Sequence, residues 1–110
     1  MKVSDIVTQL NLDVYSGAEG LSRDVNGGYT SDLLSDVMGN AEAGMVWITL
    51  QTHKNVMAIA SLKELAAVIL VGAQQPEDDT AEQSNVEGIP ILGTSIPTFD
   101  ITGKLYNLLH

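Results

Sequence analysis

Gly44-Met45-Val46-Trp47-Ile48-Thr49-Leu50-Gln51-Thr52-His53-Lys54-Asn55 begins as an apolar run and turns abruptly polar. An apolar helical pattern follows from Val56 to Leu65. The order reads as a buried strand, a polar turn and a helix start. Met45 to Leu50 is apolar on both faces, as a strand covered by helices on both sides must be. In open α/β sheets of this kind, ligands sit just past the carboxyl end of a strand. Trp47, the only tryptophan, is expected to pack under a helix. Thr52 is expected to cap that helix, which the pattern places at about His53 to Leu65.

Toward the C-terminus, Ala66-Ala67-Val68-Ile69-Leu70-Val71-Gly72 is the most apolar run and reads as a second central strand. Pro76, with Glu77, Asp78 and Asp79 behind it, suits the first position of a helix and its dipole. This polar surface helix should run from about Pro76 to Val86 and end at Gly88. Ile89-Pro90-Ile91-Leu92 reads as a short strand, with Pro90 at an edge or at the strand start because it lacks a donor. Pro97 opens a last helix whose apolar face is Ile101, Leu105, Leu108 and Leu109.

Toward the N-terminus, Val3, Ile6, Val7 and Leu10 share one face of a short helix, with Ser4 or Asp5 near its start. Leu12 to Ser16 alternates as a strand does, and Gly17 and Gly20 bracket a turn. Arg23 to Thr30 is too polar and glycine-rich for a core strand. Its paired glycines allow positive φ or the close approach of another backbone. Thr30 or Ser31 should cap a second helix that buries Leu33, Leu34, Val37 and Met38 and stops at Gly39-Asn40. Strands alternating with helices imply right-handed crossovers and a mainly parallel sheet. The expected architecture is α/β, a three-layer α/β/α domain with a mainly parallel sheet of about four to five strands. It should form one domain over residues 1–110.

Composition narrows the partners. Fourteen acids stand against five bases, a net charge of −9. Lys2, Arg23, Lys54, Lys63 and Lys104 are scattered, whereas nucleic-acid binding needs clustered cations to displace phosphate counterions. No nucleic-acid partner is expected. The absence of cysteine excludes disulfides, thiolate metal sites and thiol catalysis, and suits a reducing compartment. No apolar run approaches the ~20 residues of a membrane span, and no secretory h-region follows Met1 to Asp5. The expectation is a cytoplasmic protein without a membrane partner.

Motifs of catalysis are missing. The only Gly-Lys pair, Gly103-Lys104, precedes Leu105 inside a helix, so there is no P-loop. The dinucleotide-binding glycine pattern is absent too. Gly93-Thr94-Ser95-Ile96-Pro97 lacks the closing glycine of a nucleophile elbow. His53 and His110 are the only histidines, and no ligand spacing for a metal exists. Glu77, Asp78, Asp79 and Glu82 read as a solvated helix start. No catalytic residue, no metal and no cofactor is expected.

Two candidate sites remain. The first is the strand-to-helix turn, with Thr49, Gln51, Thr52, His53, Lys54 and Asn55. Free amides at a helix N-terminus attract anions. Lys54 and His53 add cationic donors there although cations oppose the dipole, which suggests a pocket for a small anion or a nucleotide. The alternative is a capped helix with two exposed side chains. The second candidate is Asp24-Val25-Asn26-Gly27-Gly28, either a loop that meets a ligand or second subunit, or an ordinary turn.

At Asp24-Val25-Asn26-Gly27-Gly28 the chain resembles the DRTGG-domain family. Asp24, Gly27 and Gly28 match its five-letter motif, and Val25 and Asn26 replace its arginine and threonine. Thr30 to Gly39, Val46 to His53, Gly88 to Leu92 and Thr98 to Leu109 also read like family members, so the resemblance covers nearly the whole chain and implies a stand-alone copy. The family is similar to the N-terminal domain of HPr kinase/phosphorylase, which lacks the catalytic P-loop. The resemblance implies a non-catalytic regulatory or interaction module, accessory to a metabolic or redox enzyme system. It further implies a homodimer, with Asp24, Asn26, Gly27 and Gly28 near the interface, or contact with a protein partner.

Overall fold

The computed structural model describes residues 1–110. In chain order the elements are α1 (Val3–Leu10), β1 (Asp13–Ser16), a 3-10 turn (Ala18–Ser22), β2 (Gly27–Thr30), α2 (Leu34–Asn40), β3 (Met45–Thr49), α3 (Asn55–Leu62), β4 (Ala67–Leu70), α4 (Asp78–Glu87), β5 (Ile91–Gly93) and α5 (Thr98–Leu109). The five strands form one sheet in the order β1-β5-β4-β3-β2. β2, β3, β4 and β5 run parallel, and β1 joins β5 antiparallel at one edge. β2 forms the other edge.

Side-chain alternation assigns the layers, because successive residues of a strand point to opposite faces. Val46, Ile48, Ala67, Ile69 and Leu92 meet Val3 and Ile6 of α1 and Ile101 and Leu105 of α5. Trp47, Val68, Leu70 and Ile91 meet Val37 of α2 and Val56, Met57 and Ala60 of α3. α4 lies against α3 and β1. The three-layer α/β/α fold and its mainly parallel sheet are as expected. Trp47 is fully buried, and its Nε1 donates to the Ser31 carbonyl (2.8 Å), which ties the segment after β2 to β3.

Helix ends depart from the sequence reading for identifiable reasons. α3 begins at Asn55, and Thr52 does not cap it. The Thr52 carbonyl instead accepts from the Glu77 N–H (3.2 Å), which joins the β3–α3 loop to the β4–α4 loop. Glu64 is left-handed (φ 54°) and follows the end of α3 at Leu62. Pro76 precedes α4 by two residues, and Glu77 holds its N-cap position. Thr30 is the last residue of β2, while the Ser31 hydroxyl accepts from the Leu33 N–H (3.1 Å) ahead of α2. α2 has only seven residues, so Val37 alone is fully buried while Leu33 and Met38 are exposed. Arg23 to Thr30 is not simply a turn, because Gly27–Thr30 pairs with Met45–Ile48 as an edge strand.

α4 is polar yet firmly seated. Ser16 Oγ donates to Ser84 Oγ (2.9 Å), which donates to the Ile89 carbonyl (2.6 Å). Arg23 Nε donates to the Gly88 carbonyl (2.8 Å), placing a cation where the helix dipole is negative. Thr80 on the same helix is 1% exposed, and its hydroxyl has no hydrogen-bond partner.

Trp47→Ala is expected to cost about 3–5 kcal/mol in urea-induced unfolding, and a loss under about 1 kcal/mol would contradict the packing described. Thr80→Val removes a desolvated, unpaired hydroxyl at nearly constant volume and is expected to raise stability by about 1 kcal/mol. A lower unfolding midpoint in Thr80→Val would mean the hydroxyl has a partner.

Candidate functional site

The polar turn after β3 is organised around Asp32, in the loop between β2 and α2. Asp32 Oδ1 accepts from the Leu50 N–H (2.7 Å) and from Thr49 Oγ1 (2.9 Å). Gln51 Nε2 donates to the Asp32 carbonyl (3.0 Å), and the Gln51 N–H donates to Thr49 Oγ1 (3.1 Å). Thr49 and Gln51 are thus engaged in holding two loops together across the carboxyl ends of adjacent strands. Thr52 is half-buried. His53, Lys54 and Asn55 are exposed, and the Asn55 N–H donates to His53 Nδ1 (3.2 Å). Lys54 and Asn55 open onto a groove of about 640 Å³ between α3 and α4. The six candidate residues therefore divide, with one pair gathered on Asp32 and another at the mouth of the groove.

Asp24-Val25-Asn26-Gly27-Gly28 is tied into the fold along its length. Asp24 pairs with Lys2 Nζ (2.9 Å). Val25 packs into the core beside α1, and its N–H donates to the Met1 carbonyl (2.8 Å). Asn26 clasps the turn before β3: its Nδ2 donates to the Ala43 carbonyl (2.9 Å) and its N–H to the Gly44 carbonyl (3.0 Å). Gly44 is left-handed (φ 82°), and a Cβ on it would meet Asn26 Nδ2 at 2.6 Å. Gly27 and Gly28 begin β2 without positive φ. A Cβ on Gly28 would lie 3.0 Å from Leu105 Cδ2, so the glycine lets α5 settle close to the edge strand.

A second groove, about 440 Å³, lies where that edge meets α5. Asn26 to Thr30 form one wall. Thr102, Leu105, Tyr106, Leu109 and His110 form much of the other. The Tyr106 and His110 rings stack with centroids 4.2 Å apart. Thr30 Oγ1 and Thr102 Oγ1 share a hydrogen bond of 2.9 Å across it. No three His, Asp or Glu side chains converge as a metal site would require.

Electrostatics at the β2 edge is local. Tyr29 OH donates to Asp36 Oδ1 (2.8 Å), which holds the Asp36 carboxyl below the usual range and pushes the Tyr29 hydroxyl above its own. The Lys2 ammonium, hydrogen-bonded to Asp24, lowers that carboxyl likewise. The sequence reading missed Asp32, which sits among residues assigned to a helix, and the Tyr106–His110 stack. The i, i+4 spacing of those two rings on a helix was the available signal.

No family model matches the chain, and no curated protein matches it. Among solved structures it is similar to the CBS and DRTGG domains of the regulatory region of Clostridium perfringens pyrophosphatase, complexed with the activator diadenosine tetraphosphate. The TM-score is 0.66 at 12% identity, over 94% of this chain and 45% of that one. The chain thus spans less than half of that neighbour's length. The likeness is one of fold, and it supports the DRTGG-like architecture that the motif suggested.

The Tyr29–Asp36 contact yields a pH signature. Asp36 has a depressed pKa, so its contribution is present above the ordinary carboxylate value of 3.8 and is lost as pH falls below it. Tyr29 has a raised pKa, so its contribution is present below 10.0 and is lost as pH rises beyond it. Asp36→Ala should therefore unfold more easily than the parent near neutrality, and the gap in denaturant midpoint should narrow at both extremes. A gap that stays constant across that range would show that the pair is not formed in solution.

Proposed function

We propose that the chain is a non-catalytic regulatory and interaction module that pairs with a second copy of itself along the open edge of β2. The observation that carries this reading is that edge. β2 has a partner strand on one side only, and such an edge presents unpaired N–H and C=O groups to another chain. Tyr106 of the neighbouring helix α5 lines the groove beside it and is 62% exposed. Two copies related by a two-fold axis would bring the same surface to itself, as an isologous dimer requires. The regulatory origin of the structural neighbour supports a module of this kind, accessory to a metabolic or redox enzyme in the cytoplasm. On this reading residues 1–110 act as one domain.

A second reading is favoured by the nucleotide complexed with that neighbour. The exposed His53 and Lys54 at the start of α3 would then receive the phosphates of a nucleotide or another small anion. Asp32 confines such a ligand to the helix side of the turn, because its carboxylate already occupies the strand side.

Light scattering at tens of micromolar is expected to give twice the 11.7 kDa chain mass, with Tyr106→Glu returning the species to one chain. A parent that stays at 11.7 kDa sinks the self-pairing reading. In a thermal-shift screen with diadenosine tetraphosphate, ATP and phosphate, a ligand at about 100 times its Kd adds roughly 2.7 kcal/mol. That corresponds to a rise of several degrees in a domain this size. A shift abolished in His53→Ala/Lys54→Ala would establish the second reading, and no shift with any of the three would dismiss it.

A further inference from the structure

We infer that the groove between α3 and α4 is a docking site for a cationic amphipathic helix of a partner protein. The groove lies on the face of the sheet opposite α5, so this inference stands apart from self-pairing at the β2 edge. Two helical stripes form its walls. α3 presents Asn55, Ala58 and Leu62, spaced i, i+3, i+7, and α4 presents Asp79, Glu82, Gln83 and Val86 in the same way. The valley exists because Ala58 and Ser61 are small where α3 faces α4.

Its chemistry is doubly unfinished. Leu62 and Val86 line the groove while remaining 68% and 74% exposed, so an apolar strip faces water. Around it stand the carboxylates of Asp79, Glu82 and Glu87 against the single ammonium of Lys54. None of the three forms an ion pair, since the one salt bridge of the molecule is Lys2–Asp24. Glu87 is fixed in place: Oε2 accepts from Ser61 Oγ (3.0 Å) on the opposite helix and Oε1 from Gln83 Nε2 (3.0 Å).

These features select the occupant. A second copy docking by this same surface would set like carboxylates against each other, which opposes association. A phosphorylated ligand lying along the groove beside Asp79, Glu82 and Glu87, beyond the reach of Lys54 at its mouth, or an anionic membrane surface, meets the same repulsion. A helix with leucine-like residues at i, i+3 or i+4 and lysines or arginines flanking them satisfies both the apolar strip and its charged rim. α3 and α4, at eight and ten residues, span about 12–15 Å. The groove therefore admits a partner helix of two to three turns.

The test uses the whole chain and two synthetic two-heptad peptides. One carries leucine at its a and d positions and lysine elsewhere, and the other replaces every lysine by glutamate. Amide chemical shifts should move on α3 and α4 with the lysine peptide, and binding should weaken as salt is raised. The glutamate peptide should not bind. Leu62→Ser/Val86→Ser, at exposed positions that leave the core intact, should weaken the lysine peptide about tenfold or more. Glu82→Lys should weaken it as well, without touching the apolar strip. The inference is overturned by shifts located elsewhere, by undiminished binding to the serine variant, or by no binding of the lysine peptide. Spermine that binds as tightly and displaces the peptide would also overturn it, by reducing the site to unspecific charge.

Discussion

The parallel ladder between β3 and β4, sealed on both faces, is the constraint from which the rest of the structure follows. Val46 to Thr49 pair with Ala67 to Leu70, and all eight residues are buried. A backbone excluded from water must have its N–H and C=O groups paired. An apolar strand on each side of its pleat needs a layer above and a layer below. α1 and α5 therefore cover one face while α2 and α3 cover the other. Trp47 adds a polar anchor to its apolar bulk, since its indole N–H reaches the Ser31 carbonyl and fixes where the chain leaves β2.

The same sealing moves chemistry outward, to the loops at the carboxyl ends of the strands. There Asp32 draws donors from Thr49, Leu50 and Gln51. This carboxylate does for two loops what backbone pairing does for strands. The Asp24 to Gly28 segment plays the matching part at the opposite ends of the strands. Val25 enters the core where the resembling family carries an arginine, and Asn26 holds the left-handed turn at Gly44. The segment read from the sequence as either a contact loop or an ordinary turn also braces the N-terminus, the edge strand and the start of β3.

The two surfaces considered for partners differ in chemistry. The β2 edge and α5 offer unpaired backbone groups and aromatic rings, which suit another backbone and another apolar surface. The α3–α4 groove offers leucine and valine framed by carboxylates, which suits an apolar helix carrying positive charge. The net charge of −9 sharpens the difference, because a strongly acidic molecule meets basic partners more readily than copies of its own acidic faces.

How much of this was legible in the chain differs by level. The runs Met45 to Leu50 and Ala66 to Gly72 declared the two central strands, because apolar residues on both sides of a pleat have few other homes. The strands themselves stop at Thr49 and Leu70, and Leu50 and Gly72 lie exposed beyond them. Val3, Ile6, Ile101 and Leu105 declared helix faces by their spacing, and Gly88 marked the end of α4 through its left-handed φ of 65°. The order of elements followed, and with it the three layers. The candidate sites were legible only as stretches. Thr49 and Gln51 were singled out as polar residues beyond a strand, yet their partner Asp32 lies seventeen residues or more away in the chain, and local patterning carries no information about such a pairing. Gly27 to Thr30 became a strand because β3 supplied a register for it, against its own glycine-rich composition. The sequence by itself determined which strands and helix faces build the core, since the hydrophobic effect acts on composition and spacing, although single apolar residues such as Leu33, Met38 and Leu50 stay exposed. Only the tertiary structure decided which polar groups find each other and which surfaces stay open, since hydrogen bonds and grooves depend on distances between elements remote in the chain.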